Sequence, residues 1–253
     1  MVRTLLVRGM LVGLVVGLVA FAWAYFVGEP PVKAAIAVEE AAAAKAGAMD
    51  EGAPEVSRDL QSTLGLLTGI LIFSTAIGGF VGLIFAMIYG RIGALQARAT
   101  ALVIAAVGFT TVVLVPFTKY PANPPAVGSG DTIGERTGWF FVLIVIAIVA
   151  AVAAGRLIRD LYARWGVGNA VAAGLLLFAV LIGVAHLALP AENEVRTGFP
   201  PQVLWDFRLA NLGTQAIIWS LLAFGFGHAA ERALAGKPLL GRRAAAGASA
   251  PTT

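Results

Sequence analysis

Apolar residues along this chain come in long blocks, broken only by short polar stretches. Uninterrupted runs cover about 9–27, 62–90, 99–118, 137–155, 167–189 and 211–230. A bilayer core of about 30 Å needs roughly 20 helical residues, so each run is long enough to cross it. The pattern predicts an all-α polytopic membrane protein with six transmembrane helices and a single transmembrane domain over 1–230. Residues 231–253 form a basic tail, rich in Ala, Gly and Arg, expected to be disordered in the cytoplasm. The second run exceeds what the bilayer requires, which tilt accommodates at a cost of fractions of a kcal/mol per Å.

The first run admits a second reading as a secretory signal. Arg3 and Arg8 precede it, and Ala20, Ala22 and Ala24 have cleavage-like spacing. Its 19 charge-free residues exceed a signal core of about 7–15. Phe21, Trp23, Tyr25 and Phe26 match an interfacial aromatic anchor. A retained helix is the expectation.

Between the runs, Lys33–Ala48 has the Ala- and Glu-rich composition of a helix, with Pro30 and Pro31 expected at its start. Tyr120–Gly134 is a Pro- and Gly-rich linker. With three runs on either side of that linker, an inverted repeat is conceivable, but the halves have no convincing self-similarity. Glycines four apart recur at Gly9, Gly13 and Gly17, at Gly65 and Gly69, and at Gly78 and Gly82. That spacing puts small residues on one helix face, where backbones can approach closely or a second subunit can pack.

Charge sets the orientation. With the N-terminus inside, eleven of the 18 Lys and Arg residues fall in inner segments and seven in the mostly longer outer loops. The positive-inside rule therefore predicts N-in, C-in. Only Asp160 and Glu231 of the 14 acids lie inside. The pI near 9.8 thus reflects topology rather than a nucleic-acid surface, and no nucleic-acid partner is expected. With no cysteine in the chain, thiolate ligands, redox dithiols and disulfides are excluded.

Candidate chemistry is sparse. His186 lies near the outer end of the fifth run and His228 near the inner end of the sixth. Ionisable groups at such depth are functional candidates by default. The two lie roughly 20 Å apart across the core, too far to share an ion. Partners for His186 would come from the outer carboxylates Glu29, Glu39, Glu40, Glu192, Glu194 or Asp206. The candidate metal ligands are His186, Glu29, Glu39, Glu40 and Asp206. Imidazole with carboxylate suits first-row divalent metals without selecting among them. Asp206 and Arg208 flank Phe207 in an interfacial lead-in to the last run, with Trp205 beside them. No nucleophile–base pair or hydrolase motif is present, so catalysis is not expected.

The segments AYFVGEP and AIAVEEA, the linker KYPANPPAVGSGDTIGERT and the stretch LWDFRLANLGTQAIIW together resemble the CbtA family of predicted cobalt transporter subunits. The resemblance covers most of the chain. It implies a multi-pass subunit of the cell membrane for uptake of cobalt, or more broadly a divalent metal ion. In that reading cobalt is the transported ion and no cofactor is needed. Membrane lipid surrounds the subunit, and a small single-span CbtB-like subunit with a histidine-rich metal site works beside it. Family-like positions are Glu29, Glu39, Glu40, Lys119, Asn123, Trp205, Arg208 and Gln215.

Overall fold

A computed structural model describes residues 1–45, 47, 56–91, 93–128, 132–191 and 195–239. Five helices account for the regular structure: α1 (Val2–Lys45), α2 (Arg58–Ile88), α3 (Ala97–Lys119), α4 (Ile133–Ala188) and α5 (Pro201–Leu234). All five are long and apolar enough to cross a membrane. No strand occurs among the described residues.

Two of the predicted runs, 137–155 and 167–189, fall within the 56 residues of α4. Its backbone leaves helical geometry at Gly166, with φ 72° and ψ 170°. Positive φ is nearly free for glycine and costly for residues with a Cβ. The chain reverses there into two antiparallel arms. Gly174 of the second arm lies so close to Ile158 and the Ala154 carbonyl of the first that a Cβ would collide with them. Further along, Leu143 and Ala147 meet Ala185, Phe178 and Ile182.

The first run does not end where the prolines suggested. α1 continues unbroken for 44 residues, carrying Pro30 and Pro31 in its interior. A widened π turn over Ala24–Gly28 sits directly before them, and the Glu29 N–H bonds to the Ala24 carbonyl five residues back. Proline lacks an N–H and crowds the carbonyl four residues earlier. Opening the preceding turn relieves both defects without a break. Pro116 of α3 likewise follows a π segment, Phe109–Leu114. A third π segment, Gln61–Gly65, lies near the start of α2, where the Ser57 hydroxyl caps the Leu60 N–H at 3.4 Å.

Packing starts from the glycines. Gly9 and Gly13 meet the backbone of Gly78 and Ser74, and Gly82 meets that of Leu5. α1 and α2 therefore cross with their backbones in contact, as small-residue faces permit. α5 is the central member of the bundle. Ile218 and Leu222 pack on Val16 and Ala20 of α1, while Trp219, Ala223 and Phe226 pack on Ala101, Ile104 and Ala105 of α3. The other face of these helices is apolar and exposed, as at Val15, Ile72, Phe80, Val145, Leu176 and Phe224. Such a surface suits lipid rather than water.

The start of α1 and the end of α5 meet at one end of the bundle, here the terminal end. Arg8 donates to the carbonyls of Ala229 at 2.8 Å and Lys237 at 2.6 Å. Arg98 binds Glu231 through Nε at 2.8 Å and Nη2 at 2.5 Å. α5 runs to Leu234 and terminates at Gly236, φ +68°, so the start of the expected disordered tail is helical. Residues 240–253 lie outside the described residues. The opposite, linker end holds His186, Asp206 and Arg208; His228 lies at the terminal end.

Candidate functional site

At the linker end, side chains from two helices bind the segment after α3. Arg208 of α5 donates from Nε to the Ala122 carbonyl at 3.3 Å and from Nη2 to Asn123 Oδ1 at 3.0 Å. Arg136 of α4 donates to the Pro121 carbonyl, and the Tyr120 hydroxyl donates to the Pro190 carbonyl at 2.8 Å. Burial, and then the neighbouring Arg136 guanidinium, hold Arg208 below the ordinary arginine value. The family-like residues Asn123 and Arg208 are thus partners, separated by 85 positions in sequence.

His186 lies directly beneath this segment. Its Nδ1 faces the Ile182 carbonyl at 3.0 Å. A carbonyl cannot donate, so Nδ1 carries the proton. In neutral imidazole that leaves the lone pair on Nε2, which lies 2.9 Å from Thr118 Oγ1. An imidazole whose N–H is anchored on a carbonyl is oriented as metal-binding histidines usually are. The Thr118 hydroxyl that faces this nitrogen also lies 2.7 Å from the Val115 carbonyl, and its single hydrogen can serve only one of the two. The Lys119 ammonium, bound to the His186 carbonyl at 2.8 Å, adds a positive charge beside it.

The carboxylates are distributed rather than gathered. Glu29 is 7% exposed and binds Arg58 Nη2 at 2.5 Å, joining the π turn of α1 to the start of α2. Glu39 and Glu40 are exposed on the projecting part of α1. Glu39 borders a cleft of about 440 Å³ with Ala126, Arg196 and Phe199. Asp206 is exposed and accepts from Gln202 Nε2 at 2.8 Å. Its neighbour Arg208 turns to the linker instead, as a two-residue offset on a helix requires. Among the described residues no three His, Cys, Asp or Glu side chains lie close enough to hold a metal ion. Glu192 and Glu194 lie outside the described residues. His228 is exposed near the terminal end.

A reading based on ionisable groups passes over neutral polar atoms within the helices. In α5, Gln215 Oε1 and Trp219 Nε1 are both buried without a hydrogen-bond partner. Four residues apart, they share one helix face. Trp219 lays the benzo edge of its ring against Gly108, where a Cβ would collide with it. The π segment Phe109–Leu114 starts at the next residue. The buried Thr111 hydroxyl there returns its hydrogen to Val107 O at 2.9 Å. The sequence marked Gln215 only as a family-like position, in a run that also holds Asn211, Thr214 and Ser220.

A family model described as probable cobalt transporter subunit (CbtA) matches residues 2–231, nearly the whole chain. Comparison with curated proteins and with solved structures gives no match.

Proposed function

The chain belongs to the CbtA family of probable cobalt transporter subunits, and from that premise we propose that it forms the membrane-spanning part of an uptake system for cobalt or a related divalent cation. The family match over residues 2–231 carries this reading. It is a transport role and not a catalytic one. In this reading α4 crosses twice through its Gly166 hairpin, so the five helices make six crossings. The linker end then faces outward and the terminal end, with its excess of arginine, faces the cytoplasm. The membrane is that of the cell.

Glu39, Glu40 and Asp206 act as separate cation-attracting positions on the outer rim, and Glu29 lies deeper between α1 and α2. His186 contributes Nε2 when an ion displaces the Thr118 hydroxyl. The spread of these groups supports a coordination sphere completed by another subunit, a small single-span CbtB-like protein. Cobalt accumulation in cells expressing this chain with and without such a partner tests the proposal, with a Glu39→Gln/Glu40→Gln variant alongside. Accumulation that depends on the chain and falls in the variant is expected. Equal accumulation in every strain, including one lacking the chain, would refute it.

A further inference from the structure

Among the described residues, Gln215 Oε1 and Trp219 Nε1 are two of three buried side-chain polar atoms without a partner; the third, Arg58 Nε, belongs to a side chain already paired with Glu29. Trp219 is 7% exposed, yet its indole N–H has no acceptor, and one turn away Gln215 Oε1 has no donor. Burying such a group without a partner is costly in protein, and more so in the dry centre of a bilayer. Buried polar atoms without a partner are few in folded proteins and call for a specific cause.

Their surroundings supply one. The pair faces α3 at the start of a π segment, a weakly bonded form of helix that recurs at functional sites. The antiparallel register of α3 and α5, fixed by Gly108 against Trp219 and by Arg98 against Glu231, sets Gln215 level with Thr111 and Val112. A donor, an acceptor and a hydroxyl therefore lie along one helix–helix seam, about midway along α3. Close packing on Gly108 needs no side-chain interlock, so the two helices can part there without unthreading.

We infer that the seam between α5 and the Phe109–Leu114 segment, packed shut here by Trp219 on Gly108, is a water-admitting passage. A bare cation would satisfy Gln215 Oε1 but would be repelled by the Trp219 N–H. Water offers each the group it lacks, an oxygen to the indole and a hydrogen to the amide. The species that enters is thus water, or a divalent cation still carrying its hydration shell. The second half of that statement rests on the transport reading; the first does not.

The test begins with the unmodified protein. In nanodiscs with ¹⁵N-labelled tryptophan, the Trp219 indole proton, identified by its loss in Trp219→Phe, should exchange with D₂O at least ~10-fold faster than the slowest core amides. The chain lacks cysteine, so single substitutions locate the passage. Gln215→Cys and Thr111→Cys should react with a water-borne methanethiosulfonate at least ~10-fold faster than Ile218→Cys, which lies on the α1-facing side of α5 and is 1% exposed. A Trp219 indole proton that persists as long as the slowest core amides overturns the inference, whatever the cysteine variants do. Fast exchange in a protein that never accumulates cobalt would leave the passage standing and remove the transport reading.

Discussion

Gly9 of α1 and Gly78 of α2 press on each other reciprocally: a Cβ on either would strike the carbonyl oxygen of the other. The contact is backbone on backbone, so no side chain can yield. Gly78→Ala should destabilise the protein by about 1–3 kcal/mol, the usual cost of overpacking. Gly69→Ala is the control, because nothing lies within 4 Å of a Cβ placed there. It should be neutral, or stabilising by up to about 1 kcal/mol through helix propensity. Thermal unfolding in detergent separates the two.

Glu29 and Arg58 form an ion pair in which the carboxylate is buried and the Arg58 side chain is 35% exposed. Removing one partner from a fully buried pair costs about 3–5 kcal/mol, and exposure lowers that figure. Glu29→Gln is expected to cost about 1–2 kcal/mol. The Glu29→Gln/Arg58→Gln double variant should recover most of the loss, giving a clear coupling energy in a double-mutant cycle.

Trp23 donates from Nε1 to the Ala210 carbonyl at 3.0 Å and lays its ring over Gly213. Trp23→Phe keeps most of the ring and removes the donor, for a loss of about 1 kcal/mol. Gly213→Ala pushes against the ring and should cost about 1–3 kcal/mol. Chemical or thermal denaturation of the two variants checks the order.

Thr118 and His186 separate structure from chemistry at the linker end. Thr118→Val removes the hydroxyl's contacts with both the Val115 carbonyl and His186 Nε2 and should cost no more than about 2 kcal/mol. It also leaves His186 Nε2 without its present partner, so cobalt accumulation should be retained. His186→Gln should lower accumulation at least ~10-fold, the scale on which metal-site changes act. Full accumulation in His186→Gln would restrict His186 to holding α4 against α3.

Hydropathy made the bundle legible because length and apolarity were the governing quantities. The runs 62–90, 99–118 and 211–230 lie largely within α2, α3 and α5. Hydropathy did not reveal that α1 continues past Pro30 and Pro31, because the π turn that accommodates them leaves no compositional trace. Glycine spacing was equally ambiguous. Gly9 and Gly13 are buried against α2, while Gly69 faces open space and Gly65 has only the Leu60 carbonyl of its own helix nearby, yet the motif is identical. A helix face does not disclose its partner. For the candidate site, sequence identified His186 but not Thr118, a non-ionisable neighbour 68 positions away. It also gave no warning that Glu29 would spend its charge on Arg58.

The unbroken course of α1 has a mechanical consequence. At 1.5 Å per residue its 44 residues span about 66 Å, roughly twice the hydrocarbon thickness. One end is tethered to the carboxyl end of α5 through Arg8, and the other carries Glu39 beside Ala126, Arg196 and Phe199. A rod of that length joins the two ends of the bundle, so tilt of α1 at the glutamates would reach the Arg8 tether on the far side, and flexure at the wide turn Ala24–Gly28 would spare it.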